Sequence, residues 1–160
     1  MSELQMVPMT PEGFEALKTE LHELKTVERP QVINEIAEAR AHGDLKENAE
    51  YHAAREKQSF IEGRITILDD SIARANVIDF SSGGESVIKF GAYVSYEDID
   101  SGEVKSIRIV GDLEADMEKN LVSIGSPIAK AFLGKKADEE ITVRLPKGSK
   151  EYLIVSIDYR

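Results

Sequence analysis

Two acidic side chains, Asp44 and Glu47, stand three residues apart directly after Gly43. Residues three apart on a helix lie on the same side, so both carboxylates can gather at the start of one helix. Carboxylate oxygens are the ligands that Mg²⁺ prefers, but a complete Mg²⁺ site needs six oxygens. The pair therefore predicts a metal site that water or another molecule has to complete.

The same two residues also have a purely structural interpretation. Aspartate at an N-cap with glutamate at N3 is a capping box, which satisfies free backbone amides and complements the helix dipole. Gly43 would then end the preceding helix in a left-handed conformation. The two interpretations are compatible, because a capped turn also fixes the carboxylates, and the residues alone leave both open.

The segments on either side of this pair have the pattern of two long helices. Pro11 can occupy a first helical turn that Thr10 caps. Apolar residues then recur at steps of three and four in two stripes, which is the repeat of a coiled-coil seam. The stripes are Phe14, Leu17, Leu21 and Leu24, and later Ile61, Ile65, Leu68, Ile72 and Ala75.

The numbering of the two stripes predicts an antiparallel hairpin, in which facing residues have a constant index sum. Four pairs share one sum: Phe14 and Ala75, Leu17 and Ile72, Leu21 and Leu68, Leu24 and Ile65. Two more pairs continue it: Ile36 and Ala53, Arg40 and Ala49. This register places the turn at Asp44 and Leu45. Pro30 lacks a backbone donor, so the first arm should kink or break there.

The second half of the chain has a different period. Residues 79–86, DFSSGGES, form a linker rich in glycine and serine. Beyond it, apolar residues alternate with polar ones, which predicts half-buried strands of an antiparallel sheet. The alternating apolar sets are Ile107 and Ile109, Ile141, Val143 and Leu145, and Leu153, Val155 and Ile157. One short helix fits between them, capped by Ser126, started by Pro127 and closed by Gly134.

These patterns predict an α+β protein with two domains. A two-helix coiled-coil hairpin covers residues 1–78, with its acidic tip at 43–48, and a globular domain with one short helix covers 87–160. The hairpin seam is satisfied within the chain, so we expect a monomer. The acidic stretch at residues 112–116 is expected to be solvated.

The composition excludes several classes of protein. The formal net charge is -10, opposite in sign to a protein that coats nucleic-acid phosphates. There is no cysteine, so disulfides, thiolate metal sites and thiol nucleophiles are excluded. The chain has no apolar run long enough to cross a bilayer and no signal-peptide pattern at its start, so we expect a cytoplasmic protein.

The string GDLKENAEYHAAREKQSFIEGRI around the tip resembles the bacterial Gre transcript-cleavage factors, of the GreA type. Three further segments are also similar to that family: VPMTPEGFEALKTEL, RIVGDLEAD and SPIAKAFLGK. The resemblance covers essentially the whole chain in order.

The resemblance implies a coiled-coil hairpin followed by an FKBP-like domain. It implies that the globular domain docks on bacterial RNA polymerase and that the hairpin reaches through the secondary channel. There the factor stimulates the polymerase's own Mg²⁺-dependent cleavage of backtracked nascent RNA. The family's two acidic tip residues match Asp44 and Glu47, which would share a Mg²⁺ ion with the polymerase. Which of them is a ligand and which a general base stays open.

The resemblance also implies a basic patch on the hairpin that contacts the displaced RNA, and Arg55 is the best match. Arg40 and Lys57 are further candidates. The alternative is that these cations pair with neighbouring acids, in which case each exposed pair contributes under ~1 kcal/mol. Ser126 and Pro127 match a segment near the docking surface, although their types already suit a helix start.

Two other functions compete with transcript cleavage. A channel-binding inhibitor would insert a similar hairpin without cleaving, and such relatives differ chiefly in their tip acids, so the intact pair favours cleavage. A prolyl isomerase needs an apolar pocket lined by aromatic rings. Only 6% of this chain is aromatic and it has no tryptophan, which argues against that activity.

Overall fold

The computed structural model describes residues 5–43, 48–80 and 87–160, and the chain divides into two compact units. The first unit contains Phe14–Ala75. The second contains Asn76–Arg160 and, in addition, Met6–Gly13 from near the start of the chain. The sequence pattern did not predict that this early segment belongs to the second unit.

The first unit is the predicted antiparallel helical hairpin. Its first arm consists of α1 (Pro11–Glu23), a π-helical turn (Leu24–Glu28) and α2 (Arg29–Arg40), and its second arm is α3 (Ala49–Ala73). Helix α1 starts as predicted, with Pro11 first and the Thr10 hydroxyl accepting a hydrogen bond from the Gly13 amide at 3.0 Å. Among the described residues, four ion pairs join the arms: Glu20–Arg64, Lys25–Asp69, Arg29–Glu62 and Glu35–Lys57.

The seam between the arms is apolar. Buried positions in the first arm are Leu17, Leu24, Val32 and Ala39, and those in α3 include Ala54, Ile61, Ile65 and Leu68. Both predicted stripes therefore contribute to the seam. In the first arm, however, the buried positions are spaced by seven, eight and seven residues, so one residue is inserted into the heptad repeat between Leu24 and Val32.

The inserted residue lies in the π-helical turn before Pro30. The Arg29 amide donates to the Leu24 carbonyl, five residues back, and α2 then starts with Pro30 in its first turn. This position requires no amide donor from proline. The predicted break at Pro30 is thus a π-bulge, which keeps the arm helical while rotating the seam.

The bulge explains why the predicted register fails beyond Leu24. Arg40, Ala49 and Ala53 are exposed, whereas Ala39 and Ala54 are buried. The predicted pairs Ile36–Ala53 and Arg40–Ala49 are therefore wrong. At the other end, Ala75 is not part of the helical seam, because it starts strand β2 (Ala75–Val77).

The second unit is built on a five-stranded sheet. Strand β1 (Val7–Met9) pairs with β2 in a separate two-stranded sheet. The main sheet has the order β5-β4-β3-β7-β6. Its strands are β3 (Tyr93–Asp98), β4 (Val104–Val110), β5 (Leu121–Ser123), β6 (Glu140–Leu145) and β7 (Gly148–Asp158). Strands β4 and β5 run parallel, so the sheet is mixed rather than purely antiparallel as predicted.

A β-bulge in β7 changes which of its side chains face the core. Tyr96 pairs with Ile154 and Ser95 pairs with Ser156, so Val155 has no opposite residue. Ile154 is fully buried while Val155 is exposed, and Ile157 beyond the bulge packs on the core again. The alternation predicted for Leu153, Val155 and Ile157 is therefore wrong at Leu153 and Val155: Tyr152 and Ile154 face the core instead, and the bulge reverses the facing before Ile157.

The core of the second unit lies between the sheet and α4 (Pro127–Phe132). Phe132 and Ala129 of this helix are fully buried. As predicted, Ser126 caps the helix by accepting a hydrogen bond from the Ala129 amide at 3.2 Å, and Gly134 follows it with a φ of 83°. The strand residues packed in this core include Val94, Tyr96, Ile107, Ile109, Ile141, Val143 and Ile154.

Within the second unit, hydrogen bonds to Glu114 hold Met6–Gly13 against the residues that follow β4. The Glu114 carboxylate accepts hydrogen bonds from the amides of Thr10 at 3.1 Å and Gly111 at 2.9 Å, and from the Thr10 hydroxyl. A Cβ at Gly13 would collide with this carboxylate. The expectation that residues 112–116 are solvated is therefore wrong for Glu114, which is half-buried.

Candidate functional site

The candidate site lies where the two arms of the hairpin end. Helix α2 ends at Arg40, with hydrogen bonds from the Ala41 amide to the Ala37 and Glu38 carbonyls. Gly43 follows with a φ of 117°, a conformation that side chains disfavour and that suits glycine at a helix end. The two predicted metal-binding acids, Asp44 and Glu47, lie outside the described residues.

Asn48 holds the two arms together at this end. Its side-chain oxygen accepts a hydrogen bond from the Tyr51 amide at 3.0 Å, which makes it the N-cap of α3. Its side-chain nitrogen donates to the carbonyl of Ala39, in the last turn of α2, at 2.7 Å. One amide group therefore caps one arm and is bonded to the backbone of the other.

This arrangement corrects the predicted capping box. Helix α3 begins at Ala49 and its N-cap is Asn48, so the prediction that Asp44 caps it is wrong. The Asp-x-x-Glu spacing after Gly43 matches a capping box, which is why the sequence predicts Asp44 as the N-cap. Asparagine is an equally good N-cap, and its position just before Ala49 was the signal that could have identified it.

Two of the three predicted RNA-contacting cations lie close to one aromatic ring. The guanidinium carbon of Arg40, at the end of α2, is 5.9 Å from the centre of the Tyr51 ring, and that of Arg55 is 6.0 Å from it. Arg55 also approaches the Tyr51 hydroxyl at 3.4 Å, and His52 meets the ring edge-on with a centroid distance of 5.6 Å. Arg40 and Arg55 thus form a basic cluster around Tyr51.

This cluster has a positive electrostatic character. A hydrogen bond from Arg40, together with the nearby charges of Arg55 and Arg40, holds the pKa of Tyr51 below its usual value. Within the described part of the chain, neither arginine is paired with a carboxylate. Their charges are therefore available to an anion, although the whole chain has a net charge of -10.

Lys57 is placed differently. It forms an ion pair with Glu35 across the arms at 3.4 Å. Because each residue advances ~100° around a helix, Lys57 and Arg55 point to opposite sides of α3. The structure therefore brings Arg40 and Arg55 together and separates Lys57 from them.

Ser126 and Pro127, the predicted docking residues, belong to the second unit. The Ser126 hydroxyl is used by the helix cap, and Pro127 is exposed at the first position of α4. Their structural roles account for both residue types, and their part in docking stays a prediction.

Two features are absent from the described part of the chain. In the part of the chain that is described, no three histidine or acidic side chains converge in a way that could hold a metal ion. None of the described helices is both long enough and apolar enough to span a membrane.

Comparison with known proteins identifies the family of this chain. The family model for the N-terminal domain of transcription elongation factors matches residues 7–77. The family model for the C-terminal domain of GreA/GreB transcription elongation factors matches residues 83–159. The chain therefore belongs to the GreA/GreB family of transcription elongation factors.

Individual relatives extend the similarity over the whole chain. Transcription elongation factor GreA of Hyphomonas neptunium is 51% identical over 157 residues, covering 98% of this chain and 100% of the relative. GreA of Ruegeria pomeroyi is 54% identical over 156 residues, covering 98% and 99%. A solved structure of the transcription factor Gfh1 is 29% identical, covers 97% of this chain and 99% of its own, and has a TM-score of 0.47.

Proposed function

We propose that this protein binds bacterial RNA polymerase, inserts its hairpin tip through the secondary channel and stimulates cleavage of backtracked nascent RNA. The polymerase's own Mg²⁺-dependent site performs the hydrolysis, which releases a short 3′ fragment and leaves a new 3′ end in register. In this proposal the protein is an accessory factor that completes the polymerase's active site, and an arrested complex can then resume synthesis.

The observation that carries the proposal is the capping of α3 by Asn48. The purely structural interpretation of Asp44 and Glu47 made them the cap of the second arm. Since Asn48 has that role, capping of α3 does not require Asp44 or Glu47, and this favours a chemical role for the two acids. Membership of an elongation-factor family supports the same function.

The donor set at the tip fits a shared ion better than a resident one. Asp44 and Glu47 supply oxygen ligands, which suit Mg²⁺, but two carboxylates leave most of its six positions open. When bound there, the ion would supply Lewis-acid activation of the water and the phosphodiester. The remaining ligands would come from water, the polymerase or the RNA.

The two acids have separable tasks in this proposal. One carboxylate binds the shared ion and positions it against the RNA. The other either binds the same ion or orients the attacking water and accepts its proton as a general base. Asn48, bonded to both arms, fixes the backbone on one side of these residues.

The basic cluster around Tyr51 would contact the displaced RNA. Arg40 and Arg55 offer two guanidinium groups that lie within about two helical turns of the tip, and guanidinium groups bind phosphate through two hydrogen bonds. Lys57 is a weaker candidate, because its pair with Glu35 must open first. Ser126 and Pro127 remain candidates for docking the second unit on the polymerase.

The competing functions have less support. An inhibitor that only occupies the channel would not need the Asp44–Glu47 pair. A prolyl isomerase needs rings that line an open pocket, whereas Tyr96, Phe132 and Tyr152 pack edge-to-face against one another at 5.0–6.1 Å between centroids. Turnover in a peptide-isomerisation assay would contradict this assessment.

A transcript-cleavage assay tests the proposal. A bacterial RNA polymerase is stalled in a backtracked complex with 5′-labelled RNA, and RNA length is followed after adding Mg²⁺ and the protein. The wild type should shorten the RNA, and the Asp44→Asn/Glu47→Gln variant should not. Glu50→Gln, which neutralises an exposed acid in the first turn of α3, is the matched control and should cleave normally. Failure of the wild type to cleave while binding the polymerase would favour the inhibitor.

A further inference from the structure

The outer face of the main sheet carries a polar groove that the proposed function does not use. The groove has a volume of about 330 Å³ and lies on strands β7, β3 and β4, with residues 119–121 on one side. The core-facing side chains of these strands, such as Val94 and Ile107, are buried on the opposite face. The groove therefore belongs to the second unit alone.

Three serines form the floor of the groove. Ser95 of β3 lies directly opposite Ser106 of β4 on one side and Ser156 of β7 on the other. The hydroxyls of Ser95 and Ser106 are 2.9 Å apart. Small side chains in three neighbouring strands leave a depression, and their hydroxyls can donate hydrogen bonds into it.

Two arginines stack on a tyrosine beside the serine row. The guanidinium carbons of Arg108 and Arg160 are 4.6 and 4.4 Å from the centre of the Tyr93 ring. Arg108 is also held by the Gly91 carbonyl at 3.2 Å, and its side chain is only 12% exposed. These contacts hold the Arg108 guanidinium group at the groove, so a ligand would not have to order it.

The charges around the groove favour an anion. Lys119 and Asn120 line its other side, and among the described residues neither side chain has an ion-pair or hydrogen-bond partner. Two carboxylates lie nearby, Asp158 and Glu12, and each is paired with an arginine: Asp158 with Arg160 at 2.8 Å and Glu12 with Arg108 at 3.3 Å. The local balance is therefore positive in a chain whose net charge is -10.

We infer that this groove binds the phosphate groups of a small nucleoside phosphate. Serine hydroxyls, a lysine ammonium and guanidinium groups are donors from which phosphate oxygens accept hydrogen bonds. A volume of about 330 Å³ is at the lower end for ligand pockets and fits one nucleotide. A long nucleic acid is disfavoured, because the overall negative charge of the protein repels an extended polyanion. The inference does not depend on the proposed function.

Isothermal titration of the full-length protein with ADP at low ionic strength tests this inference. ADP should bind at one site per chain, inorganic phosphate should compete with it, and adenosine should not bind. Lys119→Gln and Arg160→Gln, both at exposed positions, should each weaken ADP binding by at least about fivefold, because each removes a charged donor. Lys105→Gln removes the same charge from β4 on the other face of the sheet and should bind like the wild type.

Three results would overturn the inference. The first is an absence of ADP binding at millimolar concentration by a protein whose NMR spectrum shows a folded second unit. The second is equal ADP affinity of the wild type, Lys119→Gln and Arg160→Gln. The third is binding of adenosine, or of a single-stranded oligonucleotide, as tight as that of ADP.

Discussion

Asn48 donates a hydrogen bond to the main-chain oxygen of Ala39 at 2.7 Å, and this bond joins the start of α3 to the last turn of α2. The same side chain caps α3 through the Tyr51 amide. The residues that connect the arms therefore start just after Ala39 and end at Asn48, and these two residues are hydrogen-bonded to each other. This geometry provides a fixed base for the acidic tip.

The two roles of Asn48 can be separated by substitution. Asn48→Ala removes both hydrogen bonds and should destabilise the hairpin by about 1–2 kcal/mol. Asn48→Asp keeps a capping oxygen but loses the donor to Ala39, so it should lose less stability. Denaturant unfolding followed by circular dichroism at 222 nm measures both. Equal stability of Asn48→Ala and the wild type would contradict the role of this bond.

The apolar seam should depend on Leu68. This side chain is fully buried, and Leu68→Ala should cost ~2–5 kcal/mol because it leaves a cavity between the arms. Its neighbour Ile67 is 48% exposed, so Ile67→Ala provides a matched control and should cost far less. The same unfolding measurement compares them. Similar losses for the two variants would mean that the seam is not where the structure has it.

The ion pair between Glu20 and Arg64 should make hairpin stability depend on pH. The hydrogen bond and charge of Arg64 lower the pKa of Glu20 below its ordinary value of 4.5. A carboxyl whose pKa is lower in the folded state stabilises the fold above its unfolded pKa, and that contribution is lost as the pH falls through the folded value.

Glu20→Gln should therefore melt at a lower temperature than the wild type at pH 7, and the difference should shrink as the pH falls below about 4.5. Thermal melts at a series of pH values measure this. Because the pair is partly exposed, its effect should be modest and should decrease with added salt. A difference in melting temperature that grows in acid would contradict the assignment.

Ser126 has a structural role that has to be separated from docking. Ser126→Ala removes the cap of α4 and should destabilise the second unit by ~1 kcal/mol. Ser126→Asp keeps a capping oxygen and should be nearly as stable as the wild type. If the aspartate variant binds the polymerase more weakly while remaining stable, the residue contributes to docking; unchanged binding would confine it to the cap.

Much of the architecture was predictable because it follows from local patterns. Leu17, Leu24, Ile61 and Leu68 are buried as their spacing predicts, and α4 begins at Pro127 as predicted and ends within one residue of the predicted end. Helix caps and heptad repeats depend on residues that are close in sequence, so they can be predicted from the sequence alone.

The predictions of register, strand facing and exposure failed where a single residue is inserted into an element or where residues distant in sequence make contact. A π-bulge before Pro30 shifts the seam from Ile36 to Val32 and Ala39, and a β-bulge at Val155 reverses the facing in β7. Neither insertion has a clear signature in the alternation around it. Glu114 binds Thr10, more than a hundred residues earlier, and no local pattern predicts such a contact.

The spacing of the two stripes predicted a turn between the arms, and the resemblance to the Gre family suggested the cations near it. The contacts around these cations could not be predicted. That Arg40 lies against the same ring as Arg55 depends on the rotation of the first arm, which the π-bulge alters, whereas Lys57 pairs with Glu35.

The most direct test of the central claim is the rate of RNA cleavage in a backtracked complex as a function of Mg²⁺ concentration. The account predicts that Asp44→Asn and Glu47→Gln each slow cleavage at least about tenfold, which corresponds to ~1.4 kcal/mol, at protein concentrations that saturate the polymerase. The variant that loses a metal ligand should also need more Mg²⁺ for half-maximal cleavage. Wild-type rates and Mg²⁺ dependence in both variants, with binding intact, would contradict the claim that these acids complete the polymerase's active site.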